Sequence, residues 1–294
     1  MARPFRRSAV AQRRRARLDR DHSLHRNAQL RSARDGGVAH LSRAARRADV
    51  AGRVRGVADG PAGVSGLRVA VFDAYGTLFD VSAAAREAAA APGGEALAAV
   101  WPTLAEVWRR KQLEYSWIRS LSGAHADFWT VTCDALDYAM AATGVESDAL
   151  RDRLQALYRD LRAYPEVPET LAALRAAGLR TAILSNGSPE MLARAVAAAG
   201  IGAALDAVLS AEAVGVFKTD PRVYALVGAT FGVAPAEALF VSSNGWDAAA
   251  AAGYGFRTLW VNRRGDPVDR LPWRPDHVGA DLSAAVAVAR APGR

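Results

Sequence analysis

Residues 67–78 read LRVAVFDAYGTL, a short apolar run that stops on a carboxylate, Asp73, with Gly76 and Thr77 close behind it. A carboxylate at the end of an apolar strand, with a glycine to let the backbone turn and a hydroxyl nearby, can serve as an in-line nucleophile. Taken alone, the string is equally compatible with an aspartate that caps a turn. The rest of the chain has to decide between the two.

Further apolar runs follow at 180–187 (RTAILSNG), 207–212 (AVLSAE), 238–247 (ALFVSSNGWD) and 257–262 (RTLWVN). They alternate with helical patterns, as in an α/β fold whose parallel sheet is flanked by helices. In doubly wound sheets the ligand site lies just beyond the carboxyl ends of the strands. Polar clusters stand at successive strand ends here: Asp73, then Ser185-Asn186-Gly187, then Lys218 within VGVFKTDPRVY, then Ser242-Ser243-Asn244-Gly245-Trp246-Asp247. That agreement favours a functional Asp73. Residues 82–163 interrupt the alternation with segments at helical spacing (95–121, 125–144 and 147–164) and no convincing strand, which predicts a helical lid inserted after the first strand. Pro168 suits the first turn of the helix that returns the chain to the core. The expected organisation is therefore a core of 67–81 and 164–294, a cap of 82–163, and a leader of 1–66.

The leader carries most of the charge. It holds sixteen arginines against five aspartates, a net +11, whereas the remaining residues have 22 basic against 25 acidic groups, a net −3. With few large apolar residues it is expected to be disordered. It can be read as a nucleic-acid-binding arm, as a basic presequence, or as upstream sequence read through from a wrongly chosen start, the true one lying near Val57, Val64 or Val69. The third reading is favoured by a chain that uses arginine almost to the exclusion of lysine, Lys111 and Lys218 alone. With a mildly acidic folded part, nucleic acid is not the expected partner. No apolar run has membrane-spanning length and the N-terminus lacks the apolar stretch of a secretory signal, so a cytoplasmic protein is expected. A single cysteine, Cys133, excludes an internal disulfide and a multi-cysteine metal site, and is expected to be buried.

The strings FDAYGTLFD, WRRKQLEY, LSNGSP and FVSSNGWD resemble the haloacid dehalogenase superfamily, and in particular its metal-independent 2-haloacid dehalogenase branch; the likeness runs from residue 67 to about 290. The resemblance implies a Rossmann-like core with a parallel sheet and an all-helical cap, no cofactor and no metal. It implies hydrolytic dehalogenation of short L-2-haloacids to D-2-hydroxyacids. Asp73 would attack C2 and expel halide, and water would cleave the resulting ester at the Asp73 carbonyl carbon, so that configuration inverts once. Lys218 would hold Asp73 ionised. Arg109 would accept the halide, a role that suits a weakly hydrated guanidinium. Ser185 and Asn186, with the Tyr75 backbone N–H, would hold the substrate carboxylate. Thr77, Tyr224 and Ser242 would support the nucleophile and its lysine, and Asn244 and Asp247 would position and activate the hydrolytic water. Tyr75, Leu113, Phe128 and Trp246 would wall the alkyl part. Relatives that dimerise through helical surfaces make a homodimer an expectation.

The main rival is a phosphatase of the same superfamily, which would resemble DxDxT at the first strand and carry paired acids after the fourth, because Mg²⁺ needs hard oxygen ligands. Here Tyr75 stands in place of the second aspartate and SSNGWD in place of the acids. Lys111 keeps open a phosphonatase-type Schiff base, and a non-catalytic binding protein with a basic arm is the reading outside enzymology. Three departures from the dehalogenase pattern bear on substrate range: Arg110 where an uncharged amide is expected, Thr219 for proline, and Ala74 for a larger residue.

Overall fold

The computed structural model describes residues 66–291. Its sheet is built on the first apolar run: β1 (Val69–Phe72) is buried along its whole length and lies between β2 (Arg180–Ser185) and β4 (Ala238–Ser242). Outside these are β3 (Ala207–Ser210) beside β2, and β5 (Arg257–Val261) then β6 (His277–Gly279) beside β4, giving the order β3-β2-β1-β4-β5-β6 with every neighbour parallel. The strand order reverses beside β1, so the gap beyond its carboxyl end is open to loops from both sides. Register brings the polar clusters level. Phe72 pairs with Ile183 and Val241, and the N–H of Asp73 donates to the Val241 carbonyl at 2.9 Å.

β6 lies outside the strands expected from the sequence. It is only three residues long, is centred on Val278 with 57% exposure, and forms an edge with no apolar run to mark it.

The core helices are α6 (Val167–Ala176), α7 (Pro189–Ala198), α8 (Pro221–Phe231), α9 (Gly245–Tyr254) and α10 (Ala284–Arg290). Between β1 and β2 stands an insertion of helices only: α1 (Ala83–Ala90), the short α2 (Glu95–Ala98), α3 (Trp101–Ser122), α4 (Phe128–Thr143) and α5 (Asp148–Arg159). The run at 95–121 is thus two helices, and Pro102 lies in the first turn of the second, where its missing N–H costs nothing. α3 and α4 both end on glycines in the left-handed region, Gly123 and Gly144. α3 buries Leu104, Trp108, Gln112 and Ser116, a stripe with a spacing of four. The insertion leaves and rejoins the core through two stretches of backbone side by side, with Asp80 N–H on the Arg162 carbonyl (3.1 Å) and Tyr164 N–H on that of Leu78 (2.9 Å). Cys133 is half-buried on α4 rather than sealed in the core, because the buried face of that helix runs through Val131, Thr132, Ala135 and Leu136 instead.

Residues 1–65 of the leader, with the disorder and basic arm expected of it and the starts near Val57 and Val64, fall outside the described residues, whereas Val69, the third of those positions, opens β1. Among the described residues no helix is long and apolar enough to cross a membrane.

Candidate active site

Four strand ends and one cap helix converge on Asp73, which is only 6% exposed. Its Oδ1 accepts from Lys218 Nζ at 2.9 Å, and its Oδ2 accepts from Asn244 Nδ2 at 2.9 Å and from Thr77 Oγ at 3.0 Å. Lys218 Nζ also donates to Asp247 Oδ2 at 2.8 Å, and the Tyr224 hydroxyl donates to Asp247 Oδ1 at 2.8 Å. One ammonium therefore bridges two buried carboxylates. Burial alone would pull the Lys218 pKa down, but the charges of Asp247 and Asp73 outweigh it and raise it, so the lysine is a cation throughout the physiological range. Burial pushes the Asp247 carboxyl above its usual range, helped by the charge of Asp73 and opposed by Lys218 and Tyr224. The Tyr224 phenol is held well above its ordinary value, by burial first and then by Asp247, and stays a neutral donor.

Local sequence explains why these groups meet. Lys218 is carried in on the loop after β3, and its own N–H is held by Asn186 Oδ1 at 2.8 Å. The Lys218–Thr219 peptide is cis. Asn244 is the N-cap of α9 and Asp247 lies in that helix's first turn, where the dipole favours a carboxylate. Ser242 does something other than the expected support of Asp73 or Lys218. Its hydroxyl accepts from the Asn244 N–H at 3.1 Å and so shapes the turn that aims Asn244. Contact with the nucleophile's support falls instead to its neighbour Ser243, whose N–H donates to Thr77 Oγ at 2.8 Å and whose hydroxyl lies 3.2 Å from it. Successive residues at the end of a strand point opposite ways, and the sequence alone does not say which serine faces Thr77.

The cap contributes Arg109. Its Nη2 donates to the Tyr75 carbonyl and to Asn244 Oδ1, both at 3.3 Å, and its Nη1 donates to Gln112 Oε1 at 2.7 Å. Arg110, the next residue round the helix, is exposed, so it brings no charge to the site. Lys111 pairs with Glu114 at 2.9 Å and lies over the rings of Tyr138 (4.4 Å) and Tyr115 (5.6 Å). It stands two residues on from Arg109, about 200° of helix, which leaves it on the other side of α3 and removes the Schiff-base reading.

Tyr75 and Phe128 do form one apolar wall, with ring centroids 6.2 Å apart, extended by Tyr158 stacked 5.7 Å from Tyr75 and by Phe217 at 5.7 Å from Phe128. Trp246 stands apart from that group, edge-on to Trp117 of the cap at 5.4 Å. Leu113 is half-buried one turn beyond Arg109. At the end of β2, the Ser185 hydroxyl accepts from the Gly187 N–H at 3.1 Å, and Asn186 spends its carbonyl oxygen on Lys218. Among the described residues neither the Asn186 Nδ2 nor the Tyr75 N–H has a hydrogen-bond acceptor, so both remain as donors beside Asp73. With Asp73 and Asp247 against Lys218 and Arg109, the formal charges of the cluster cancel. An incoming anion meets no net repulsion, and donors from three elements.

Among the described residues no group of three or more His, Cys, Asp or Glu is placed to hold a metal ion. The position between the two carboxylates, where a divalent cation could bridge them, is taken by the Lys218 ammonium.

Comparisons with known proteins point the same way. A family model described as haloacid dehalogenase-like hydrolase matches residues 67–255. The chain is 46% identical over 202 residues to (S)-2-haloacid dehalogenase 1 of Pseudomonas sp. (strain CBS-3), covering 68% of this chain and 87% of that one. It is 48% identical over 199 residues to the (S)-2-haloacid dehalogenase of Xanthobacter autotrophicus, covering 67% and 76%. The solved structure of the L-2-haloacid dehalogenase from Xanthobacter autotrophicus with chloropropionic acid covalently bound superposes with a TM-score of 0.67 at 40% identity, covering 76% of this chain and 98% of that one.

Proposed function

Since the chain belongs to the haloacid dehalogenase-like hydrolases, we propose that it hydrolyses short (S)-2-haloacids to (R)-2-hydroxyacids and halide, without a metal, through an ester on Asp73. The observation that carries this reading is the Asp73–Lys218–Asp247 cluster with Asn244 and Arg109 closing over it. Lys218, Thr77 and Asn244 hold and aim the Asp73 carboxylate. The substrate carboxylate is taken by the Asn186 amide, the Ser185 hydroxyl and the Tyr75 N–H, which places C2 over Asp73. An Asp73 oxygen forms a bond to C2 as the carbon–halogen bond breaks, and the halide leaves with the bonding pair toward Arg109.

A water then adds to the Asp73 carbonyl carbon. Asp247 takes its proton, having a second lone pair on each oxygen beside those engaged by Lys218 and Tyr224. Collapse of the tetrahedral intermediate breaks the acyl C–O bond, the hydroxyacid leaves with that proton, and Asp73 is a carboxylate again after losing its own proton to solvent. Net change is one water consumed, with one halide and one proton released.

The same reading takes the protein to be cytoplasmic and a homodimer; exposed Trp117, Ile118, Leu121 and Tyr138 on the cap support the second of these.

Halide release from the two enantiomers of 2-chloropropionate in EDTA, run beside p-nitrophenyl phosphate with Mg²⁺, tests the function. Chloride from the (S) form alone and no phosphate release is the expected result. Metal-dependent phosphate release with no chloride would overturn it.

A further inference from the structure

The guanidinium that meets the halide is itself held by a side chain that touches neither substrate nor nucleophile. Gln112 is 1% exposed, one turn beyond Arg109 on α3, and its amide is engaged at both ends. Its Oε1 accepts from Arg109 Nη1 at 2.7 Å, the shortest bond that Arg109 makes, while its Nε2 donates to Thr132 Oγ (2.7 Å) and to the Tyr158 hydroxyl (3.1 Å). Thr132 in turn donates to the Phe128 carbonyl at 2.6 Å. The amide cannot turn round without setting its NH₂ against the guanidinium and its oxygen against Thr132 Oγ, whose proton is given to the Phe128 carbonyl. Its direction is fixed from α4 and α5, and it fixes the plane of the guanidinium.

We propose that Gln112 is the positioning residue for the halide-accepting arginine. Arginine has five N–H donors in one plane at the end of a long flexible stem, so its usefulness to a departing halide depends on what clamps it. The clamp here has three points: the Tyr75 carbonyl and Asn244 Oδ1 on Nη2, and Gln112 on Nη1. Two of these are 3.3 Å contacts to groups at the reacting centre, which must adjust as the substrate enters. Gln112 is the point anchored in the cap interior, and it holds Arg109 in place while the others exchange partners. Val81, Ala105, Trp108 and Tyr158 line a small pocket of about 10 Å³ together with Arg109 and Gln112.

This inference rests on the reading of Arg109 as the halide's acceptor, and the test separates the two. Gln112→Met keeps the length and fills the space without an amide acceptor. The measurement is the single-turnover rate of halide release from (S)-2-chloropropionate and from (S)-2-bromopropionate, with ester hydrolysis followed separately. If Gln112 orients Arg109, Gln112→Met slows release of chloride, the poorer leaving group, by roughly 30-fold and of bromide by less than about 10-fold, and leaves ester hydrolysis unchanged. Equal slowing of both halides, or a change in melting temperature alone, would show a merely structural glutamine and overturn the proposal. Should Gln112→Met fail to fold, Tyr158→Phe removes one anchor of the amide with little change in volume. A smaller bias of the same sign is then expected, and no bias would refute the clamp. Arg109→Lys is the control for the underlying reading: if it shows no difference between the halides, Arg109 is not the acceptor.

Discussion

At the scale of single residues the chemistry turns on charges that the sequence names but cannot pair. Lys218 and Asp247 are legible as candidates, since lysine occurs twice in the whole chain and SSNGWD is a distinctive string at a strand end. That one ammonium joins both carboxylates is not legible, because the two contacts span 145 and 29 residues of chain. Gln112 sits inside the string WRRKQLEY, three residues from Arg109, and helical spacing is the signal that could expose it. The electrostatics give a pH prediction. As the proposed base, Asp247 has to be ionised to take a proton from water, and burial raises its pKa, so ester hydrolysis should fail on acidification at a pH above the usual carboxylate range. Tyr224 donates to that carboxylate and favours its ionised form. Tyr224→Phe should therefore move the acid limb of ester hydrolysis to still higher pH, and an unmoved limb would separate Tyr224 from the base. For stability the signs differ. The raised Lys218 value contributes stability that is fully present below the pKa of an unfolded lysine and is lost as pH rises through the folded value, whereas the raised Asp247 value costs stability once that carboxyl ionises.

Among elements, the five longer or apolar strands can be read because their runs are marked by apolar residues and most end in polar clusters; β6 cannot, with one exposed valine at its centre. The cap is legible as helical, but the break before α3 is hidden by continuous helical spacing across residues 95–121. The turn from β2 to α7 shows what element packing demands of the site. A Cβ on Gly187 would come within 2.7 Å of the Tyr75 ring and 3.2 Å of its hydroxyl. The glycine is required there by that close approach, which brings the Tyr75 ring down onto the turn proposed to bind the substrate carboxylate. Gly187→Ala should displace the ring, destabilise the protein by about 1–3 kcal/mol and raise KM more than it lowers kcat. A normal KM in this variant would mean that Tyr75 is not part of the binding wall.

Taken whole, the molecule keeps its basic and its catalytic residues apart in sequence. The charge surplus belongs to residues 1–66, and every group placed around Asp73 comes from the mildly acidic remainder. The cap closes over Asp73 through contacts remote from the chemistry as well as near it: the Phe128 N–H donates to Glu212 at 3.2 Å and the Phe217 N–H to the Ser120 hydroxyl at 3.0 Å. Those contacts are invisible in the sequence, being single bonds between distant loops and helices, whereas the parallel sheet follows from the alternation of whole segments. Closure of this kind suits a reaction whose first step has no use for water and whose second step needs one molecule of it. The most direct test of the Asp73 ester is a single turnover of (S)-2-chloropropionate by excess enzyme in H₂¹⁸O, with the label located by mass spectrometry. An ester on Asp73 predicts unlabelled hydroxyacid and one ¹⁸O in the peptide that contains Asp73; label in the hydroxyacid and none in Asp73 would mean that water attacks C2 directly and that Asp73 is not the nucleophile.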